Sequence, residues 1–260
     1  MLLTCLYLVC FTVPFLVSFV AAGRGDFEDA MRIHNCLFGR YVLFFARPLV
    51  RVRCSGLGKV PREGPVVLVF NHRCYADVFF TSLQPRANTN IAVRAWPFRL
   101  PVLGRFMRGA GYIDFETTSM DEILEKTRDQ AKRGVSFLFF PEGHRSRDGQ
   151  LQPFRSGAFR LAAEHGLPVV PICLAGTEKM VPFGAFMIRP ARVDLDVLTP
   201  LYPADFPEER RALRMRRETE RMFRRYLGEM NGSESKGEDD DDAASAASPG
   251  GEGADGSHED

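Results

Sequence analysis

Four short apolar segments constrain the fold of this chain more than any other feature of its sequence. Residues 66–70 are wholly apolar, and similar segments occur at residues 135–140, 169–174 and, with more polar residues, 193–198. Segments of this length are typical of strands that are buried on both faces of a sheet. They predict a sheet in the interior of the molecule.

Helical patterns separate these predicted strands. Ser119 and Glu122 form a capping box that opens a helix over residues 120–132, and further helices are predicted at residues 156–165 and 208–227. Alternation of strands and helices predicts an α/β fold, with a mostly parallel sheet flanked by helices. In such sheets the ligand site lies beyond the carboxyl ends of the strands.

The charge of the chain is divided unevenly. Its 34 Lys and Arg and 33 Asp and Glu give +1 overall, but residues 231–260 hold ten of the acidic residues and one Lys. The first 230 residues therefore carry +10, which favours anionic lipid and phosphate as partners and not nucleic acid. The acidic tail lacks aromatic residues, Val, Ile and Leu, which predicts disorder over residues 231–260.

The N-terminus predicts a membrane anchor. Residues 1–22 carry no charged side chain, and 18 of them are apolar. A helix of this length reaches about 33 Å, enough to cross a bilayer core of about 30 Å. Because Arg24, Arg32 and Arg40 follow the segment, we expect the rest of the chain to face the cytosol, with the endoplasmic reticulum as the expected membrane. A cleaved signal peptide is the alternative.

A second segment, residues 28–50, has the pattern of an amphipathic helix that ends at Pro48. Its polar side holds Arg32, Asn35, Arg40 and Arg47, and its apolar side holds Ile33, Leu37, Tyr41, Phe44 and Phe45. The pattern predicts a helix in the membrane interface, with Arg facing headgroups and aromatic rings in the acyl layer. A helix that packs on the protein core has the same pattern and is the alternative.

A histidine and an aspartate follow the first predicted strand. His72 lies two residues beyond the strand, and Asp77 follows five residues later. At this spacing Asp77 can hold one imidazole nitrogen, so that the other nitrogen is available as a general base. The chain has no Gly-x-Ser-x-Gly nucleophile motif, so the pair suggests direct attack by a substrate hydroxyl on a carbonyl. Such a spacing also arises by chance.

A second polar cluster follows the strand at residues 135–140. Gly143 allows close backbone approach to a ligand, and Arg145 offers a guanidinium that matches a phosphate. Taken alone, this cluster is equally consistent with a surface turn. The six cysteines have no metal-like or disulfide-like spacing, and no metal site is predicted.

Together these motifs resemble the glycerolipid acyltransferase family, most closely the 1-acylglycerol-3-phosphate (lysophosphatidic acid) acyltransferases. The resemblance rests on four blocks in order: Asn71-His72-x4-Asp77, residues 140–146 (Phe-Pro-Glu-Gly-His-Arg-Ser), residues 153–159 (Pro-Phe-Arg-Ser-Gly-Ala-Phe) and residues 168–172 (Pro-Val-Val-Pro-Ile). A further block is Gly109-x3-Ile113-Asp114-Phe115.

The resemblance implies a membrane-bound enzyme that moves a fatty acyl group from acyl-CoA to the sn-2 hydroxyl of lysophosphatidic acid, which makes phosphatidic acid. It implies a glycerol-phosphate acyltransferase-like domain over residues 60–230, with its motifs in residues 65–177, preceded by the N-terminal membrane helices. His72 would be the general base and Asp77 its partner. No metal or bound cofactor is implied, because the acyl thioester is a substrate; a carrier-protein thioester is the alternative donor.

The resemblance also assigns substrate contacts. Glu142, Gly143 and Arg145 would hold the glycerol phosphate, Ile113 and Asp114 would line the acceptor side, and the region of Pro171 would contribute to the acyl-donor pocket. Two positions depart from the family pattern. Phe115 replaces an arginine and His144 a threonine, so Arg155 or Arg147 would supply the missing charge. The alternatives are a lysophospholipid with a larger headgroup as acceptor, thioester hydrolysis, and a non-catalytic scaffold on anionic membranes.

Overall fold

The computed structural model describes residues 27–146, 150–181 and 189–246 of the 260-residue chain. Within those ranges, no helix combines the length and the apolar character needed to cross a bilayer. The anchor predicted at residues 1–22 lies outside the described residues, so it stays a prediction.

Seven strands and eight helices make up the described part of the chain. The strands are β1 (Val50–Ser55), β2 (Val67–Phe70), β3 (Thr89–Val93), β4 (Ile113–Asp114), β5 (Ser136–Phe139), β6 (Val169–Ala175) and β7 (Ala191–Val197). The helices are α1 (Phe27–Ala46), α2 (Asp77–Phe80), α3 (Ala95–Phe98), α4 (Pro101–Gly109), α5 (Met120–Lys132), α6 (Gly157–His165), α7 (Thr177–Met180) and α8 (Arg211–Ala246).

The strands form one sheet in the order β1-β7-β6-β2-β5-β3-β4. Every neighbouring pair is parallel except β6 and β7, which are antiparallel. The prediction of an α/β fold with a mostly parallel sheet is therefore confirmed. Strand β2 lies between β5 and β6, so the carboxyl ends of these three parallel strands meet at one edge.

The sheet separates two cores, as the side chains of β2 illustrate. Leu68 and Phe70 point to one face, where they join Leu43 of α1 and Phe80 of α2. The alternate residues of β2 point to the other face and join side chains of α5, α6 and α8. Because both faces of β2 are covered, its sequence is apolar throughout and not alternating.

All four strands predicted from apolar segments are present, whereas β1, β3 and β4 were not predicted. Strand β1 lies at the edge of the sheet and reads Val-Arg-Val-Arg-Cys-Ser, and Val50 is its only buried residue. Strand β3 begins with two polar residues, and β4 has only two residues. Exposed edges and short strands place few demands on side chains, so their sequences carry little signal.

Helix α1 confirms the helix predicted near residues 28–50 and corrects the orientation of one side chain. Arg32 was expected to face lipid headgroups, but it is 1% exposed. Its guanidinium donates to Asn88 Oδ1 at 2.8 Å and to the carbonyl oxygen of Ala110 at 2.6 Å, and it pairs with Asp29. A buried arginine needs this many partners, so Arg32 attaches α1 to the body of the protein.

Helix α8 also differs from the expectation. The sequence predicts a helix that ends near Leu227 and disorder from residue 231, whereas the helix runs from Arg211 to Ala246. Most of residues 231–246 are Asn, Gly, Ser or Asp, which are weak helix formers, so propensity predicts no helix there; these residues extend a helix that is already nucleated. Residues 247–260 lie outside the described part of the chain.

Candidate active site

The predicted His–Asp pair is formed at the carboxyl end of β2. His72 Nδ1 lies 2.8 Å from Asp77 Oδ2, with the histidine side chain 20% exposed and the aspartate side chain fully buried. The imidazole stacks on Phe140, with ring centroids 4.4 Å apart. Held by the carboxylate on one side and the ring on another, the imidazole has one orientation.

Asp77 organises the loop as well as the histidine. Its Oδ2 also accepts hydrogen bonds from the backbone N–H groups of Arg73, at 2.6 Å, and Cys74, at 2.7 Å. The five-residue spacing brings the chain around so that three donors converge on one oxygen. With Nδ1–H donating to this carboxylate, Nε2 carries the lone pair that a general base requires.

Asn71 supports the site structurally, a role that the sequence motifs do not indicate. Its amide is fully buried; it donates to the carbonyl oxygen of Leu174 at 2.8 Å and accepts from the N–H of Leu174 at 2.7 Å. The two bonds fasten the end of β2 to β6 directly before His72. The sequence does contain a signal for this role: an asparagine directly follows an apolar strand, and a buried amide needs hydrogen-bond partners.

Glu142, which the resemblance assigns to the glycerol phosphate, contacts the backbone of the loop that carries His72. It is 3% exposed, and its two oxygens accept from backbone N–H groups, Oε1 from His72 at 2.7 Å and Oε2 from Gln152 at 2.9 Å. Burial raises the pKa of this carboxyl group, and the two hydrogen bonds partly offset that effect. Both of these hydrogen bonds go to backbone groups, one of them that of His72, and a contact of Glu142 with glycerol phosphate stays a prediction.

A cavity of about 900 Å³ opens beside His72. Its polar lining includes His72, Arg145 and Arg155, and its apolar lining includes Ile91, Met107, Phe115, Phe139 and Ala158. Basic and apolar groups beside a candidate base suit a substrate that has an anionic group and a hydrocarbon chain.

The backbone conformation at position 143 and the close approach of Arg155 both require glycine there. Its φ is +73°, and a Cβ there would lie 2.7 Å from Arg155 Nε. The N–H of Arg155 donates to the carbonyl oxygen of Pro141 at 2.8 Å, so the two loops are joined here. Glycine thus lets Arg155 reach the cavity wall on which Arg145 also lies.

The residues of the block that begins at Gly109 line two different cavities. Phe115 lines the large cavity, where its ring meets Phe139 edge to face at 4.7 Å and leaves no room for a side chain at Gly157. Ile113 and Asp114 instead line a separate cavity of about 570 Å³. Asp114 accepts from the backbone N–H groups of the turn that follows it. The structure thus does not place these two residues with His72.

Cys74 lies between His72 and Asp77, but its thiol is not a nucleophile. The side chain is 1% exposed, and burial, together with the adjacent Asp77 carboxylate, raises its pKa to about 12. At neutral pH the reactive thiolate is therefore almost absent.

This difference predicts the alkylation pattern of the native protein. At pH 8 we expect iodoacetamide to modify the exposed Cys54 at least about 100-fold faster than Cys74, measured by peptide mass spectrometry. In denaturant the two should react at similar rates. Equal rates in the native protein would contradict the burial and the pKa assigned to Cys74.

The protein is thus of the α/β class, and its mostly parallel sheet presents a His–Asp pair and two arginines in one cavity. Residues 51–175 match the model of the family described as Acyltransferase. Residues 51–175 are therefore an acyltransferase-family domain, which agrees with the family that the sequence blocks predict.

Curated relatives and a solved structure agree with this assignment. The chain is 37% identical to a chloroplastic 1-acyl-sn-glycerol-3-phosphate acyltransferase of Brassica napus, over 59% of this chain and 46% of the relative. It is 28% identical to the 1-acyl-sn-glycerol-3-phosphate acyltransferase of Escherichia coli K12, over 56% of this chain and 60% of the relative. The chain thus spans about half the length of the curated relatives it matches.

The solved structure is that of the 1-acyl-sn-glycerophosphate (LPA) acyltransferase PlsC from Thermotoga maritima. It aligns with a TM-score of 0.67 and 23% identity, over 86% of this chain and 91% of that chain. At this identity the likeness establishes a shared fold.

Proposed function

We propose that this protein is a membrane-bound O-acyltransferase that transfers a fatty acyl group from acyl-CoA to the sn-2 hydroxyl of lysophosphatidic acid, which gives phosphatidic acid. The observation that carries the proposal is the 2.8 Å contact between His72 Nδ1 and Asp77 Oδ2 at the wall of a basic and apolar cavity. The names of the curated relatives support the same reaction.

The reaction follows from the arrangement of the pair. Nε2 of His72 takes the proton of the acceptor hydroxyl as its oxygen attacks the thioester carbonyl carbon. The new ester bond forms, the carbon–sulfur bond breaks, and the imidazolium returns its proton to the departing thiolate. Asp77 holds the ring in place and stabilises its transient positive charge. The inert thiol of Cys74 favours this direct transfer over a covalent acyl-enzyme.

The acceptor contacts are proposed from the cavity lining. Arg145 and Arg155 bind the phosphate, since guanidinium groups match phosphate oxygens in charge and geometry. Phe115 and its apolar neighbours line the region for hydrocarbon. No metal or bound cofactor takes part in the proposed reaction, and acyl-CoA acts as co-substrate.

Membrane attachment is proposed from the N-terminal segment and from α1. The apolar side of this helix is the exposed one: Tyr41 is 40%, Phe44 56% and Phe45 58% exposed. Its opposite side packs on the protein through Arg32 and through Arg40, which donates to the carbonyl oxygen of Ser82 at 2.8 Å. Exposed aromatic rings beside a basic body suit insertion into an anionic lipid surface. The segment at residues 1–22 completes the anchor, with the catalytic domain facing the cytosol.

A lysophospholipid with a larger headgroup is the second candidate acceptor. The observation that favours it is Phe115, an apolar ring at the position where the resembling family has an arginine. Loss of one charged hydrogen bond to a bare phosphate monoester costs about 1.5–3 kcal/mol, which narrows the preference for lysophosphatidic acid.

An acyl-transfer assay with several acceptors tests the proposal. Membranes that contain the protein receive labelled acyl-CoA and either lysophosphatidic acid or lysophospholipids with choline, ethanolamine or glycerol headgroups. We expect labelled phosphatidic acid to be the main product, formed at least about 10-fold faster than the products of the other acceptors. A 10-fold ratio corresponds to about one charged hydrogen bond. A choline preference would favour the second candidate. Consumption of acyl-CoA at a rate independent of any acceptor would indicate hydrolysis. If no acyl-CoA is consumed, the result would favour a non-catalytic scaffold on anionic membranes.

A further inference from the structure

We infer that Tyr75 is a positioning residue that holds Arg145 in the orientation in which it binds the acceptor phosphate. The inference rests on the proposed function and adds a residue to which neither the sequence blocks nor the relatives assign a role. Its basis is a cation–π contact: Arg145 Cζ lies 3.3 Å from the centroid of the Tyr75 ring.

The exposure of Tyr75 sets it apart from the aromatic residues of the core. It is 61% exposed, so core packing does not account for a large ring at this position. Tyr75 and Arg145 both line the 900 Å³ cavity beside His72. The contact therefore lies at the wall of the candidate active site.

The two loops that carry the pair are joined by two hydrogen bonds. The N–H of Ser146 donates to the carbonyl oxygen of His72 at 2.9 Å, and the N–H of His72 donates to Glu142 at 2.7 Å. Tyr75 lies three residues after His72, and Arg145 directly precedes Ser146. These hydrogen bonds fix the relative position of the two loops from which the ring and the guanidinium extend.

The geometry of the stack determines its effect. A guanidinium that rests on an aromatic ring by its face keeps its N–H groups in its own plane, where they can bind a phosphate. An unsupported arginine samples many rotamers, and phosphate binding must then order it. The contact with Tyr75 restricts the rotamers of Arg145 before the acceptor binds, so less conformational entropy is lost on binding. Tyr75 therefore acts on acceptor affinity and not on the chemical step.

Kinetics of ring variants test this role. For Tyr75→Leu we expect the KM for lysophosphatidic acid to rise about 3- to 10-fold, the size of a partly exposed cation–π contact, while kcat and the KM for acyl-CoA stay within about 2-fold. Tyr75→Phe keeps the ring and should restore the KM. Tyr202→Leu, which removes an exposed tyrosine outside the cavity lining, is the matched control. In an Arg145→Gln background, Tyr75→Leu should add nothing.

A binding measurement separates this inference from the proposed reaction. The chain has a single tryptophan, Trp96, which lines the cavity, so its fluorescence reports occupancy without turnover. In the full chain without donor, Tyr75→Leu should weaken binding of 1-octanoylglycerol 3-phosphate about 3- to 10-fold and leave that of 1-octanoylglycerol unchanged.

Each contrary outcome identifies what has failed. Equal weakening of both ligands, no weakening of either, or a Phe variant as impaired as the Leu variant would overturn the role of Tyr75. A wild-type protein that binds both ligands equally would overturn it too. Phosphate-dependent binding that is lost in Tyr75→Leu, together with an inactive wild type, would support the role of Tyr75 and refute the transfer reaction.

Discussion

His72→Ala is expected to lower kcat for acyl transfer by about 10³-fold or more, because it removes the group that takes the proton of the acceptor hydroxyl. The imidazole is 20% exposed, and within the described residues its side chain contacts Asp77 Oδ2 and the ring of Phe140. These contacts orient the ring and do not hold the fold together, so the loss should fall on catalysis. The measurement is the rate of labelled phosphatidic acid formation at saturating donor and acceptor.

Three controls make this result interpretable. Circular dichroism and the fraction of protein in the membrane should match those of the wild type, since the backbone bonds of His72 to Glu142 and Ser146 do not involve its ring. His165→Gln changes a histidine that contacts Thr127 outside the cavity lining, and it should keep activity within about 3-fold. A His72→Ala variant with more than a tenth of wild-type activity would refute general-base catalysis by this residue.

The pair at His72 could be predicted from the sequence because its signal is local. A buried strand ends at Phe70, and the next seven residues contain both partners and the turn that joins them, so their contact depends on one short segment of the chain. The apolar strands were predictable for a similar reason, since burial on both faces leaves its mark on every residue.

Long-range contacts were not predictable in this way. Whether Arg32 faces lipid or protein depends on Asn88 and Ala110, which are far from it in the chain, and the helical pattern is the same in both cases. The stack of Arg145 on Tyr75 likewise depends on two loops that meet only in the folded sheet. Sequence periodicity reports which side of an element is apolar, but not what lies against the other side.

Glu142 is the residue for which sequence resemblance and structure lead to different experimental results. If it held the glycerol phosphate, Glu142→Gln would raise the KM for the acceptor. In the structure its two oxygens accept from the backbone of His72 and of Gln152, so the change should alter the position of His72 instead. A glutamine has one acceptor oxygen, and its NH₂ group would face a backbone N–H, which leaves that buried donor without a partner.

We therefore expect Glu142→Gln to lower kcat by about 10- to 100-fold, the value of one charged hydrogen bond, while both KM values stay within about 3-fold. Glu116→Gln is the matched control, since Glu116 lines the same cavity but pairs with Arg94 and accepts from the N–H of Ala95, away from the loop of His72. A higher acceptor KM with unchanged kcat would indicate that Glu142 binds the glycerol phosphate of the acceptor. A lower kcat alone would make it a support of the catalytic base, because only that role acts on the chemical step and leaves binding intact.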